Sequence, residues 1–131
     1  MLAGHVPSFG DELHVLVPPY STYLRTVRLL AADAAVRGGL DCEEAEDFRL
    51  AVDELCQAAM RSTDHALLVS MESSPGRVVA RGTARARDGY MMELSDLSAT
   101  IVDALSDHYE FELKGSDLTF VVQRWRAFVM Q

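Results

Sequence analysis

Asp47-Phe48-Arg49-Leu50-Ala51-Val52-Asp53-Glu54-Leu55-Cys56-Gln57-Ala58-Ala59 is the stretch from which the rest of this chain is read. With Ala45 just ahead of it, Phe48, Val52, Leu55 and Ala59 recur in the three-four alternation of an amphipathic helix. Upstream, Asp41 stands at the N-cap position and Glu44 at N3, an aspartate version of the capping box. Glu54 falls roughly 160° around the helix from Val52, on the side turned away from that stripe. Leu50, Glu54 and Ala58 form a line at i, i+4 and i+8. A carboxylate so placed is a candidate general base if a cleft covers that face, and a solvated glutamate if none does.

Ahead of this helix, the apolar run Leu13–Val17 stops at Pro18-Pro19 and reads as an edge strand. Ser21 is a good N-cap for a helix carrying Tyr23, Val27, Leu30, Ala31 and Ala34 at helical spacing, closed by Gly38-Gly39. Beyond Ala66 the period changes to two. Ala66–Glu72 and Arg77–Ala86 read as a hairpin around Ser74-Pro75-Gly76, and Asp88-Gly89 as a turn. Leu97, Ile101, Ala104, Leu105 and His108 predict a third, shorter helix. Tyr109–Lys114 and Leu118–Trp125 predict a second hairpin across Gly115-Ser116-Asp117. The order β-α-α-ββ-α-ββ implies an α+β fold, a two-layer α/β sandwich with the helices on one face of a mixed sheet. Residues 1–12 read as a flexible lead-in and 13–131 as one domain.

At 131 residues and 49% hydrophobic composition the chain suits a single core. A net charge of −8 argues against a nucleic-acid binder, which needs a concentrated basic surface. No basic start followed by an apolar run opens the chain, so no secretory signal is expected, and no segment approaches the roughly 20 apolar residues that span a bilayer. Cys42 and Cys56 fall on the same helix, about 21 Å apart at its rise per residue. That is too far for a disulfide, and free thiols fit a reducing cytoplasm. The histidines at 5, 14, 65 and 108 show no metal-ligand spacing among themselves or with the cysteines, so no metal site is expected. His108, closing the third helix, reads as a partner for its C-terminal dipole. No nucleophile elbow, Walker loop or dinucleotide fingerprint is present.

The run Leu50-Ala51-Val52-Asp53-Glu54-Leu55 resembles the N-box helix of the RsbW/SpoIIAB-type anti-sigma factors, serine kinases with the histidine-kinase-like (GHKL, Bergerat) ATPase fold. The resemblance extends in element order and spacing from about Leu13 to Trp125. In that family the N-box glutamate activates the substrate serine or a water, and an asparagine four residues later holds magnesium. Glu54 takes the first position and Ala58 the second, where a methyl group cannot ligate a cation that wants oxygen. The family's Asp-x-Gly-x-Gly box, whose aspartate reads adenine, corresponds to Ala84-Arg85-Ala86-Arg87. Its later glycine-rich phosphate cradle corresponds to Asp96-Leu97-Ser98, where Asp96 sets negative charge beside the place of the triphosphate. The resemblance therefore implies a nucleotide site that is degenerate at Ala58, Ala84, Ala86, Asp96 and Ser98. No cofactor is expected unless the diverged boxes still hold Mg-ATP.

The family's first helix carries an arginine that contacts both the sigma factor and its antagonist, and Arg25 matches it. Arg25, Leu29, Ala32 and Val36, with Arg28 alongside, make a second stripe away from that helix's core side. It is either a binding patch, where arginine beside apolar residues is favoured, or a packing face. Met91-Met92 and the C-terminal Trp125, Phe128, Val129 and Met130 read as gap filling, sheet cover or subunit interface. The implied partners are a sigma factor and a STAS-type anti-anti-sigma factor, with a homodimer as the family's habit and no nucleic acid or membrane. Three functions follow: a sequestering regulator without ATP, a serine kinase that binds Mg-ATP through diverged boxes, or a dimerisation scaffold.

Overall fold

The computed structural model describes residues 11–90 and 94–127. His5, Met91-Met92, Phe128, Val129 and Met130 lie outside them, as does the lead-in before Asp11. Strands β1 (Asp11–Val17), β2 (Leu67–Ser74), β3 (Arg77–Arg85), β4 (His108–Lys114) and β5 (Asp117–Trp125) form one sheet, covered on one face by helices α1 (Leu24–Arg37), α2 (Cys42–Arg61) and α3 (Asp96–Leu105). β1 opens at Asp11, so Asp11 and Glu12 belong to the strand and not to the lead-in. This is the α+β sandwich in the expected order, with no helix long and apolar enough to cross a membrane among the described residues.

The strand order is β1-β2-β3-β5-β4 and every pairing is antiparallel, which corrects the expected mixed sheet. The reason lies in the connections. α1 and α2 are an antiparallel pair, so the chain leaving β1 returns to the sheet reversed. β3, α3 and β4 would make a parallel crossover unit, but β5 inserts between β3 and β4 and pairs antiparallel with both.

Two glycines are required by the backbone and by packing. Gly39 (φ +83°) is the left-handed residue of a Schellman stop: its N–H reaches the Val36 carbonyl at 2.9 Å, and Leu40 N–H reaches Ala35 at 3.1 Å while its side chain is buried. Gly82 of β3 lies under the Phe120 ring of β5, where a Cβ would stand 2.1 Å from Cε2. The ring occupies the space a side chain would take.

α2 runs through the middle of the helical layer. Its capping box is complete, with Glu44 N–H donating to the Asp41 carboxylate at 2.7 Å and Asp41 N–H to the Glu44 carboxylate at 2.9 Å. Ala45, Phe48, Val52, Leu55 and Ala59 are all buried against the sheet. Cys56 is buried, which pushes its thiol pKa up, while Cys42 is exposed at the helix start.

Four expectations about the other helices change. Ser21 is not a cap. Pro18-Pro19 lead into a 3₁₀ turn at Ser21–Tyr23 whose last N–H bonds the Tyr20 carbonyl at 3.0 Å, so α1 proper starts at Leu24. Leu24 therefore takes the core position expected of Tyr23, which is exposed. In α3 the buried residues are Ser98 and Val102, whereas Leu97 is 71% exposed. His108 begins β4 and pairs with Glu110 at 3.2 Å, so it serves no helix dipole.

At one end of the sheet Arg124 of β5 reaches Asp47 of α2 at 3.2 Å and Asp107, between α3 and β4, at 3.1 Å. Trp125 N–H donates to the same Asp107 carboxylate at 2.7 Å. Burial disfavours the Arg124 charge, but hydrogen bonds and charge from Asp107 and then Asp47 outweigh it and raise the guanidinium pKa.

Candidate functional site

The C-terminal half of α2, the end of β3 and the start of α3 meet at the other end of the sheet. Ser95 caps α3 by accepting the Ser98 N–H at 3.0 Å. The Ser98 hydroxyl in turn donates to the Glu54 carboxylate at 3.1 Å. Glu54 and Ser98, 44 residues apart in sequence, are thus brought into contact, and the first turn of α3 sits directly against the α2 glutamate. Asp96 is exposed in that turn, where a negative charge favours the helix N-terminus and opposes a phosphate.

Ala58 is 2% exposed, its methyl packed in the core and its carbonyl accepting from the Ser62 hydroxyl at 2.6 Å. Ala84 faces the helices from β3, paired with Leu118. Ala86 sits just beyond the strand, bridged to Thr63. The two chain segments are stitched together there. Thr63 donates its hydroxyl to the Arg85 carbonyl at 2.5 Å, Arg87 N–H bonds the Ser62 carbonyl at 2.8 Å, and the Arg87 side chain pairs with Asp64 at 3.2 Å.

A groove of about 510 Å³ remains between Ala58, Arg61 and Ser62 on one side and Arg87, Asp88, Gly89 and Tyr90 on the other. Asp88-Gly89 forms the expected turn, with Gly89 at φ +76°. Asp88, absent from the expected site residues, borders this groove. A carboxylate followed by glycine just past a hairpin strand was the available signal. Among the described residues no three His, Cys, Asp or Glu side chains gather in a way that could hold a metal ion.

The second candidate surface is on α1. Arg25 is exposed and makes no ion pair with a described residue. Leu29 and Val36 are 65% and 64% exposed, and Ala32 between them is half-buried. Arg28 is turned to α2, where it pairs with Asp53 at 3.0 Å, and Asp53 also accepts from Gln57 at 2.8 Å. The structure therefore leaves Arg25, Leu29 and Val36 open and ties Arg28 into the helix pair.

The chain is similar to a solved structure of the RsbU and RsbW domains of Rv1364c from Mycobacterium tuberculosis, with a TM-score of 0.66 at 20% sequence identity. The similarity covers 92% of this chain and 34% of that one, so this chain spans about a third of the length of the solved chain it matches. At that identity the likeness is one of fold, and the fold is RsbW-like. No family model matches the sequence, and no curated protein matches it.

Proposed function

We propose that this protein is an anti-sigma-factor-like regulator that works by sequestering a protein partner without using ATP. The observation that carries the reading is the open stripe Arg25, Leu29 and Val36 on the first helix of an RsbW-like fold. Apolar side chains this exposed on a helix already packed on its other face, next to an arginine with no ion-pair partner among the described residues, have the composition of a protein interface. A sigma factor is the proposed partner, with a STAS-type antagonist competing for the same surface. Release is then set by the relative affinities of two proteins, each of which weakens the other's hold to the same degree. A homodimer in the cytoplasm is the proposed working form.

Mg-ATP fits the residues poorly. Position 58 offers a buried methyl in place of an oxygen ligand, the Glu54 carboxylate already accepts a hydrogen bond, and Asp96 adds a negative charge to the first turn of α3. One observation favours the kinase reading: Asp88 and Gly89 border a groove beside Ala58, where a carboxylate could accept from an adenine amino group. Calorimetry with Mg-ATP separates the two. No heat of binding at millimolar nucleotide is expected, and micromolar binding would restore the kinase. The sequestration reading is tested by titrating wild type and Arg25→Glu against the sigma factor and the STAS protein encoded nearest to this chain's gene. Wild type should bind one or both and the variant neither. Equal binding by the two forms would remove Arg25 from the interface and the reading with it.

A further inference from the structure

The exposed stripe on α1 has a counterpart on α2. Glu43, Leu50 and Arg61 are spaced by seven and eleven residues, two intervals that return a helix almost to the same angle, so they form one ridge along α2. That ridge stands opposite the buried stripe of Phe48, Val52 and Ala59, and all three of its residues are exposed, Leu50 by 37%. On α1, Val36 and Leu29 are also seven residues apart, with Arg25 one turn further on. The helices are antiparallel and joined at Gly38–Leu40, and Arg28 facing Asp53 sets their register. Val36 and Glu43 therefore share the loop end, Leu29 and Leu50 the middle, and Arg25 and Arg61 the far end.

Charge is sorted along the same axis. Near the loop end Asp33 pairs with Arg37 at 2.8 Å and Glu46 pairs with Arg49, which leaves Glu43 without a described cation. At the far end Arg25 and Arg61 have no carboxylate partner among the described residues. Half-buried Ala32 lies between the apolar residues, a small side chain that lets another helix approach closely.

We infer that these two ridges form a single polar-ended dock for one amphipathic helix of a partner protein. Its apolar face lies on Leu29, Val36 and Leu50, its carboxylates over Arg25 and Arg61, and its basic end at Glu43. The inference rests on the sequestration reading for Arg25 and adds the chemistry and direction of what binds there. Opposite unpaired charges at the two ends fix orientation and encounter more than affinity, while the leucines supply the contact.

The test uses two synthetic helical peptides of about 18 residues, which at the helix rise match the length of the α2 ridge. Both carry the same leucine stripe and the same composition. One has its glutamates in the first turn and lysines in the last, and the other has them interspersed. Fluorescence anisotropy against the whole chain should show the segregated peptide binding at least tenfold tighter. Leu50→Asp and Arg61→Glu should each weaken it tenfold or more, and Leu97→Asp, an exposed leucine on α3, should leave it unchanged. A spin label at the acidic end should broaden amides around Arg25 and Arg61 and spare those around Glu43. Equal binding of the two peptides, binding of neither, or an equal loss from Leu97→Asp would overturn the dock. Should that happen while sigma-factor binding still depends on Arg25, the two-ridge dock fails alone. If Arg25→Glu changes no binding at all, the reading beneath it fails too.

Discussion

The Ser98 hydroxyl donates to the Glu54 carboxylate across the α2–α3 contact at 3.1 Å, so a serine in the first turn of α3 holds a glutamate of α2. Ser98 is buried, and its neighbour Leu97 is the exposed member of that turn. Ser98→Ala should cost about 1 kcal/mol, the net worth of one such bond. Glu54→Ala should cost as much or more, because it strands a buried hydroxyl. Urea unfolding gives the stability, and amide exchange in α3 should quicken in both variants. Unchanged exchange in α3 would mean that the bond does not hold the helix in place.

Gly82→Ala places a methyl inside the Phe120 ring. The ring must leave its position over β3, and overpacking of this kind costs about 1–3 kcal/mol. Phe120→Leu, made in the Gly82→Ala background, should recover part of the loss although alone it destabilises. The double-mutant cycle measures that recovery by denaturant midpoint, and simple additivity would show that the two sites do not touch.

Arg124 joins β5 to α2 and to the α3–β4 connection through Asp47 and Asp107. Arg124→Met keeps much of the side chain's volume and removes its charge, leaving two carboxylates without their cation. The side chains retain access to water, so the expected loss is about 1–2 kcal/mol, well below that of a fully buried pair. Asp47→Asn in the same background should then be nearly neutral. Thermal denaturation at low and high salt checks both, with the wild-type advantage shrinking as salt screens the pairs.

α2 was legible because every local signal on it agreed: the Asp41–Glu44 box, the unbroken stripe and the glycine stop before it. Turn positions at Pro75-Gly76 and Gly115-Ser116 were legible for the same reason, since each joins paired strands over two residues. α3 was harder. A leucine normally marks the buried face and a serine the wet one, but here Ser98 has a partner 44 residues away that removes the cost of burying it. Ser21 looked like a cap because nothing in the local sequence says that two prolines will spend it inside a 3₁₀ turn. The all-antiparallel sheet depended on where β5 would insert, a long-range choice that no window of sequence contains. The same limit hid Asp88, whose position beside the groove is set by the stitching of β3 to the end of α2.

β1 meets its partner strand β2 across the entire helical hairpin, with Val17 opposite Leu67 and Asp11 opposite Ser73. The β2–β3 and β4–β5 hairpins close over two-residue turns, an event of roughly 1–10 μs in isolated hairpins. β1 has no such shortcut. Its closure carries the loop entropy of everything between, and nothing favours it until α1 and α2 have packed. Of the sheet's four pairings β1–β2 closes the longest loop, so in refolding its amides are expected to gain exchange protection after those of the β2–β3 and β4–β5 hairpins.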